Sequence, residues 1–525
     1  MKIELPFVKI LISLKLIISK GFDYMRSSGI LLGVASLPGE YGIGKLGKEA
    51  KKFIDFLVKA KQHYWQILPL SPTGYGDSPY QSCSIHAGNP YFIDLETLEE
   101  EGLLLPEDYK NVEFGDHMQY INYGMIYNTI FDVLKIAYSR FKPDINYHVF
   151  LDKNGGWVYN YALFMALKAE NGGKPWNQWE NDLRFAKPEA LESAKIRLKD
   201  TIGFYIFLQY QFFKQWFEIK KYANDNGIEI IGDMPIYCAY DSVEVWLTPE
   251  LFELDEEKNP KNVAGCPPDD YALDGQLWGN PLYNWADMEQ NGYKWWIDRI
   301  AFATEIYDVL RIDHFRGFAG YFSIPATDKT AVNGVWREGP GMKLFNSTNY
   351  WLGKKRIIAE DLGFVTDDVV KLLADTGYPG MKVLQFAFDP TAKSDYLPCN
   401  YTTSSCIVYT STHDSDTLYG WAEDREGEEL DFCLDYCGVS DKKDIPEALL
   451  RLAWSSIAEV AIAQPQDILG LGNEARINVP SSVGTNWRWR ILSEQLDEKA
   501  AEKLATLSQV YNRIVAAEEE ELVEE

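Results

Sequence analysis

Short apolar runs alternate with segments of helical periodicity from Gly29 onward. The run GILLGVAS (29–36) has the unbroken apolar character of a buried strand, and KLGKEAKKFIDFLVKAK (45–61) places its apolar residues at the spacing of one helix face. The alternation recurs and predicts eight strands, centred near Leu31, Ile67, Ile230, Ile312, Ile358, Val383, Val408 and Leu469. This pattern predicts an α/β fold, a (β/α)₈ TIM barrel with large helix-rich and loop insertions between barrel strands.

Two long insertions interrupt this alternation. An aromatic, helix-rich stretch at about 80–222 is too long for a simple connection, and a second insertion at about 240–300 is rich in Pro, Gly and Asp. We expect residues 25–515 to form a single catalytic barrel that carries both as subdomains, with an acidic tail at 516–525. Lysines break the apolar run within residues 1–24, which we expect to be a non-native or disordered extension.

The stretch VLRIDHFRGF (309–318) ends a predicted buried strand on an acid and a histidine. Arg311 and Asp313 are two residues apart, so they lie on the same face of the strand. The Arg311 guanidinium should hold Asp313 ionised, as a nucleophile in sugar chemistry requires. A solvated salt bridge at a strand end explains this stretch equally well, so the stretch alone leaves both interpretations open.

Two further strand ends carry acids, Glu360 after the fifth predicted strand and Asp414 after the seventh. Carboxylates that converge on one rim of a barrel repel one another unless they are used or paired. Retaining glycoside chemistry needs such a set, with Asp313 as the ionised nucleophile and Glu360 as the protonated acid/base. Asp414 would hold sugar hydroxyls as the ring flattens, and His413 would donate a hydrogen bond there or serve as a structural histidine.

The net charge and the cysteine content of the chain exclude several classes of ligand. The chain has 51 Lys and Arg residues against 78 Asp and Glu, and the net charge of −27 argues against nucleic acid or anionic membranes as ligands. The 7 cysteines are scattered without a CxxC pair, which favours reduced thiols in a cytoplasmic enzyme over a zinc site. The GLGN segment (470–473) does not continue as a dinucleotide fingerprint, so we expect neither a cofactor nor a metal.

Motifs along nearly the whole chain, from about Ser28 to Arg490, resemble those of amylomaltases, the bacterial 4-alpha-glucanotransferases of glycoside hydrolase family 77. They include GDSPYQS (76–82), GDMPIYCA (232–239), WGNPLYNW (278–285), RIDHFRGF (311–318), THDSDT (412–417) and LGLGNEARINVP (469–480). The resemblance implies transfer of α-1,4-glucan segments through a covalent glycosyl-enzyme, with Asp313 as nucleophile, Glu360 as acid/base and Asp414 as transition-state stabiliser. It also implies substrate contacts from Arg311, His413, Tyr80, Asp269, Tyr271, Trp278 and Asn478.

The loop at 266–273 resembles the family's mobile loop over the acceptor side of the site. Its usual Pro-Pro-Asp-Tyr-Phe reads PPDDY at 267–271 here, so an added charge at Asp270 is expected to alter acceptor preference. The residues leave two other functions open: a retaining glucan hydrolase of the α-amylase type, or a non-catalytic glucan-binding protein.

Several structural alternatives also stay open. The rings of Tyr80, Tyr271 and Trp278 are expected in the site, with core or loop-anchoring roles as the alternative. Asp233 could be a structural acid, and Glu474 with Arg476 is expected to form a rim salt bridge. The expected partners are α-1,4-glucans, and the oligomeric state is left as monomer or homodimer.

Overall fold

The computed structural model describes residues 25–74, 76–268 and 272–515, and it contains twelve strands among them. Most strands are short runs of β-branched and other apolar residues, as buried parallel strands are expected to be. In chain order they are β1 (Ser27–Leu31), β2 (Tyr64–Gln66), β3 (Glu229–Met234), β4 (Asn262–Cys266), β5 (Gln276–Pro281), β6 (Val309–Ile312), β7 (Gly320–Pro325), β8 (Val335–Glu338), β9 (Ile357–Ala359), β10 (Gly380–Val383), β11 (Cys406–Tyr409) and β12 (Val460–Ala463).

Eight of these strands form one parallel sheet that curls into a nearly closed barrel, which confirms the predicted (β/α)₈ fold. Their order is β10-β11-β12-β1-β2-β3-β6-β9, so barrel strands that follow one another along the chain pair, except β9 and β10 at the two ends of the order. The Ala359 amide donates to the Pro379 carbonyl at 3.0 Å, which joins β9 to β10 where the sheet would otherwise have two edges. The barrel order places the C-terminal ends of β3, β6 and β9 side by side on one rim.

Alternate residues of each barrel strand face opposite ways. On β6, Val309 belongs to the cluster inside the barrel, whereas Leu310 packs outward against the helices. The same alternation puts Arg311 and Asp313 on the inward side, as the two-residue spacing predicts. The barrel therefore aims both side chains at the axis above its own packed interior.

The eighth strand was predicted in the wrong place. The prediction centred it near Leu469, but the strand is β12, and the residues around Leu469 form a helix from Pro465 to Leu469. Proline fixes φ and lacks an amide hydrogen, so it suits the first turn of a helix and interrupts a strand ladder. VAIA (460–463) is apolar and buried, and the helix that begins at Pro465 also buries the polar side chains of Gln466 and Asp467.

Eighteen α-helices accompany the strands among the described residues. They are α1 (Lys48–Lys59), α2 (Leu95–Glu100), α3 (Pro106–Tyr109), α4 (Tyr123–Arg140), α5 (Ile145–Glu170), α6 (Asn181–Arg184), α7 (Pro188–Arg197), α8 (Lys199–Asp225), α9 (Val243–Leu247), α10 (Trp285–Gln290), α11 (Lys294–Ile306), α12 (Met342–Leu352), α13 (Asp367–Thr376), α14 (Leu418–Glu423), α15 (Gly427–Cys437), α16 (Ile445–Ser455), α17 (Pro465–Leu469) and α18 (Glu498–Val510). Helices α2 to α8 fill the long stretch between β2 and β3. Within the described part of the chain, no helix combines the length and the apolar character that crossing a membrane requires.

The remaining four strands form an antiparallel sheet, here called the side sheet, in the order β5-β4-β7-β8. Its strands β4 and β5 come from the insertion that follows β3, and β7 and β8 follow β6 directly. The side sheet carries the 266–273 loop, because β4 ends at Cys266 and β5 begins at Gln276. Residues 269–271 of this loop lie outside the described residues.

Gly232 on β3 is required by close packing, and its replacement should destabilise the barrel. A Cβ at this position would lie 2.0 Å from the Tyr307 ring, which is buried beneath the strand. We expect Gly232→Ala to lower the free energy of unfolding by about 1–3 kcal/mol, measured by urea titration. Gly156→Ala in α5 is the matched control, because nothing lies within 4 Å of its Cβ. Equal unfolding midpoints for the two variants would contradict this account.

Candidate active site

Three carboxyl groups lie at the C-terminal rim of the barrel, where the sequence analysis predicted them. Asp313 follows β6 directly, Glu360 follows β9 directly, and Asp414 lies in the loop after β11. The Phe315 amide donates to the Glu360 carbonyl at 3.0 Å, so the turn after β6 and the end of β9 are tied together. This bond fixes the backbones that carry Asp313 and Glu360 relative to each other.

Arg311 is the buried centre of the site, and its main partner is Asp233. Its Nη1 lies 2.6 Å from both carboxylate oxygens of Asp233, whereas its Nη2 reaches Asp313 Oδ1 at 3.2 Å. The side chains of Arg311 and Asp233 are 5% and 0% exposed, so this ion pair is shielded from water. The sequence analysis treated Asp233 as a structural acid; the structure places it in the site, where it orients Arg311 toward Asp313.

Tyr80 continues this network on the other side of Asp233. Its hydroxyl donates to Asp233 Oδ2 at 2.7 Å and lies 2.9 Å from His413 Nε2. Because the one phenolic hydrogen is used on Asp233, the Tyr80 oxygen accepts from His413, whose Nε2 therefore carries a hydrogen. The Tyr80 and His413 rings stack with an interplanar angle of 13° and centroids 5.3 Å apart. These two rings form one wall of the site.

The Asp313 carboxyl is less acidic than the sequence analysis expected. Burial raises its pKa to about 6, and the neighbouring Asp233 and Asp414 act in the same direction. Arg311 opposes this shift, as predicted, but it is shared with Asp233 and does not bring the pKa of Asp313 back to its ordinary value of 3.8. Arg311 thus favours the ionised form of Asp313, as expected, but burial outweighs its effect on the pKa.

Glu360 is held by backbone amides and is the more basic of the two neighbouring carboxyls. The His314 amide donates to Oε2 at 2.6 Å, and the Leu362 amide donates to Oε1 at 2.8 Å. Burial and the nearby Asp313 raise the pKa of Glu360 to about 7. His314 has φ of 49°, a left-handed conformation that is uncommon for a residue with a side chain, and this turn directs its amide at Glu360.

Asp414 is the acidic member of the set. Although burial opposes the shift, the contacts with His413 and Asn478 lower the pKa of Asp414 to about 2. Asn478 Nδ2 donates to Asp414 Oδ1 at 2.6 Å, and His413 Nε2 lies 3.3 Å from Oδ2. Burial lowers the pKa of His413, but Asp414 more than offsets this effect and the net shift is upward.

Arg476 holds the backbone of Asp414 in place through hydrogen bonds. Its Nη2 donates to the Asp414 carbonyl at 3.0 Å and its Nε to the Asn478 carbonyl at 2.8 Å, while its Nη1 pairs with Asp416. The predicted rim salt bridge with Glu474 is wrong, because Glu474 Oε1 instead accepts the Gly472 amide at 3.0 Å. The sequence analysis missed this role of Arg476, since its partners lie about 60 residues away along the chain.

Trp278 lies on strand β5 of the side sheet. Its ring meets the His314 ring edge-to-face, with centroids 4.8 Å apart. Asp269 and Tyr271, the two remaining predicted substrate contacts, lie outside the described residues. The structure thus brings together Asp313, Glu360, Asp414, Arg311, His413, Tyr80, Asn478 and, through His314, Trp278.

This arrangement can cleave the acetal linkage of a sugar. It combines two buried carboxyls, the Arg311 cation and the stacked aromatic rings of Tyr80 and His413. The carboxyl that ionises first can attack an anomeric carbon while the other still holds a proton. Across the three described ranges, no group of three or more His, Cys, Asp or Glu side chains is placed to hold a metal ion.

Comparisons with known proteins agree with this chemistry. The sequence model of the 4-alpha-glucanotransferase family matches residues 32–495. A 4-alpha-glucanotransferase of Clostridium butyricum is 47% identical over 484 residues, which span 91% of this chain and 99% of the relative. One from Thermus thermophilus is 44% identical over 501 residues, 93% of this chain and 99% of the relative.

Solved structures give the same result. The amylomaltase of Streptococcus agalactiae, in complex with acarbose, is similar to this chain with a TM-score of 0.91 and 42% identity, over 93% of this chain and 100% of the other. An amylomaltase of Corynebacterium glutamicum has a TM-score of 0.76 at 17% identity, over 92% of this chain and 75% of the other, and shares the fold.

Proposed function

The chain belongs to the 4-alpha-glucanotransferase family, and we propose that it transfers α-1,4-glucan segments by a double displacement through Asp313 and Glu360. The function itself follows from the family, because relatives of that name match at high identity over nearly their whole length. The assignment of roles to residues is the proposal. One observation carries it: Asp313 contacts the Arg311 guanidinium at 3.2 Å, whereas Glu360 is held by the backbone amides of His314 and Leu362.

In the first step Asp313 attacks the anomeric carbon of the donor glucan. Glu360 gives its proton to the departing glycosidic oxygen, so that a covalent glycosyl-enzyme forms and the shortened chain leaves. In the second step Glu360 takes the proton from the 4-hydroxyl of an acceptor glucan, which displaces Asp313 with net retention. Glu360 begins each cycle protonated, which its pKa of about 7 allows near neutrality.

Asp414 and the Tyr80 wall would hold the reacting sugar. Asp414 is fixed by Asn478 and His413 and stays ionised, so it is suited to accept hydrogen bonds from sugar hydroxyls that strengthen in the transition state. The stacked Tyr80 and His413 rings offer an apolar face to the sugar. The complex of the Streptococcus agalactiae amylomaltase with acarbose supports α-glucans as the substrate class.

Transfer must prevail over hydrolysis, because both reactions pass through the same covalent intermediate. We propose that the 266–273 loop, including Asp269 and Tyr271, covers the acceptor side and admits a sugar rather than water. The position of the loop between β4 and β5 of the side sheet, which also carries Trp278, supports this role. We also propose a single catalytic unit over 25–515 with the two insertions as subdomains.

A cytoplasmic location is proposed as well. The seven cysteines are all free, which suits a reducing compartment. The oligomeric state remains monomer or homodimer, and sedimentation of the purified protein would decide between them.

A plot of kcat/KM against pH should be bell-shaped, with a narrow maximum. Activity rises as Asp313 ionises through about pH 6 and falls as Glu360 loses its proton through about pH 7. The two apparent pKa values of this profile describe the interacting pair of carboxyls, not either residue alone. Initial rates on maltotriose over a series of pH values measure them. A rate that stays constant from about pH 5 to about pH 8 would contradict the assignment of the two carboxyls.

Purified enzyme on maltotriose tests the function. The expected products are glucose and a ladder of longer maltooligosaccharides, with the total number of reducing ends constant. If reducing ends increase as fast as maltotriose disappears, the enzyme is a hydrolase. Glucan binding without any turnover would instead indicate a binding protein.

A further inference from the structure

An exposed tryptophan lies on the outer edge of the side sheet. Strand β8 is the edge strand, its four residues are all exposed, and Trp336 at its centre is 42% exposed. Large apolar groups left in water often mark a place where a ligand binds, although scattered single ones are normal. The surroundings of Trp336 therefore decide whether it has a function.

The indole of Trp336 is held in place by a buried arginine. The Arg316 guanidinium carbon lies 3.7 Å from the centroid of the Trp336 ring, and only 4% of Arg316 is exposed. On the neighbouring strand, Phe322 meets the indole edge-to-face at 5.1 Å. One face of the indole is thus covered by a fixed cation, and the ring is oriented before any ligand arrives.

Arg316 also connects Trp336 to the catalytic groups. It is three residues beyond Asp313, and its Nη1 donates to the carbonyl of Phe364, four residues beyond Glu360, at 2.8 Å. The Cys266 thiol, at the start of the 266–273 loop, lies close enough to Arg316 to influence its pKa. Trp336 therefore lies where the turn after Asp313, the loop after Glu360 and the start of the 266–273 loop meet.

The hairpin that carries Trp336 also supports the 266–273 loop. The Ala331 amide, in the turn between β7 and β8, donates to the Asp274 carbonyl at 2.9 Å. Gly275 lies close to this turn, since a Cβ there would be 2.7 Å from Ala331. The 266–273 loop and Trp336 thus share one support on the side sheet.

The proposed function places the 266–273 loop over the acceptor side, and this corner shares the support of that loop. Trp278 lies on β5 and contacts the His314 ring, whereas Trp336 lies on β8 at the other edge of the same sheet. Under that proposal, an acceptor glucan that passes the loop extends along the side sheet. Phe364, 58% exposed, adds a second apolar ring to the same corner.

We propose that Trp336 is a remote acceptor subsite, at which a glucose unit of the acceptor chain stacks its apolar face on the open face of the indole. The inference rests on the proposed function and adds a residue that selects acceptors by length. Glucose as acceptor is too short to occupy both the reacting position and Trp336, whereas a maltotetraose acceptor reaches both. Trp336 thus favours transfer to chains over transfer to free glucose.

The test compares two acceptors with one donor. The donor is an α-maltotriosyl fluoride whose terminal 4-hydroxyl is removed, so that it cannot accept, and the acceptors are glucose and maltotetraose. We expect Trp336→Ala to raise the KM for maltotetraose about fivefold, with kcat and the KM for glucose unchanged. Trp336→Phe keeps an aromatic face and should restore most of the affinity for maltotetraose.

Trp351→Ala is the matched control, because this tryptophan is 69% exposed on α12 and has no place in the proposed subsite. An equal rise of KM for both acceptors, a fall of kcat with glucose, or no change with either acceptor would overturn the subsite. The first two results would indicate that Trp336 acts only through Arg316 on the shape of the site. Failure of the wild-type enzyme to transfer to either acceptor would overturn the proposed mechanism itself.

Discussion

Replacing Asp313 by asparagine should abolish glucan transfer while the protein stays folded. The amide lacks the negative charge needed to attack an anomeric carbon, and no other carboxyl follows β6 at this position. We expect kcat/KM on maltotriose to fall by about 10⁴-fold or more, as for removal of other enzymatic nucleophiles. Glucan binding, measured by calorimetry with maltoheptaose, should remain within a few-fold of the wild type.

The same variant should be more stable than the wild type above neutral pH. The folded pKa of Asp313 is raised from 3.8 to about 6, so its ionised form is disfavoured in the fold. The stability that the protonated carboxyl contributes is full below pH 3.8 and is lost as the pH rises through about 6. Because asparagine does not ionise, the melting temperature of Asp313→Asn should exceed that of the wild type at pH 8, and the difference should shrink toward pH 4.

The control for Asp313 is Asp375→Asn on α13. Asp375 pairs with Lys371 at the surface, 2.5 Å away, and takes no part in the site. Its replacement should leave both activity and melting temperature nearly unchanged. Transfer by Asp313→Asn at more than about a hundredth of the wild-type rate would rule out Asp313 as the nucleophile.

Glu360→Gln should slow transfer by about 10³-fold with glucan donors, because glutamine cannot protonate the departing oxygen. Glutamine has nearly the same shape and can accept one of the two backbone amide bonds, so the fold should persist. With an α-glycosyl fluoride, whose departing group needs no proton, the formation of the glycosyl-enzyme should be nearly as fast as in the wild type. The difference between the two donors distinguishes loss of an acid from general damage.

The alkaline limb of the pH profile gives a second measure of this role. It should disappear in Glu360→Gln, because the group that titrates near pH 7 is gone. The exposed Glu192 on α7 provides the control variant Glu192→Gln, which should keep both the limb and the rate. Equal losses of rate with glucan and fluoride donors would contradict an acid/base role for Glu360.

The fold could be predicted because each barrel strand is buried on both faces. Such strands appear as apolar runs, and seven of the eight candidates coincide with barrel strands or adjoin one directly. The sequence also marks the ends of α13, which lies between Thr366 and a Gly377 that adopts the left-handed φ of 69° typical of a glycine after a helix. The eighth strand was misplaced because the apolar pair Ile468 and Leu469 follows VAIA closely, so hydrophobicity alone did not separate strand from helix.

Only those site residues that follow a barrel strand could be predicted from the sequence pattern. The acids after β6, β9 and β11 were identifiable because parallel strands bring their carboxyl ends to one rim. The pairing of Arg311 with Asp233 was not, since the two residues are 78 positions apart and only the β3–β6 register brings them together. For the same reason the sequence could not show that burial raises the pKa of Asp313 or that Arg311 is shared with Asp233.

The side sheet was also absent from the prediction. Its strands β4 and β5 lie in the segment that the sequence analysis described only as a loop-like insertion. The segment is rich in Pro, Gly and Asp, residues that usually mark turns, and these obscured the short strands. The placement of Trp336 beside the loop after Glu360 followed only from the three-dimensional structure.

Direct identification of the covalent intermediate tests the central claim. Glu360→Gln is incubated with α-maltotriosyl fluoride that lacks the terminal 4-hydroxyl, digested with pepsin at low pH and examined by mass spectrometry. The fluoride forms the glycosyl-enzyme without an acid, and the missing base and the blocked hydroxyl slow its breakdown. We expect the peptide that contains Asp313 to gain the mass of one deoxymaltotriosyl group. A label on any other residue, or a donor consumed without any labelled peptide, would contradict the double displacement through Asp313.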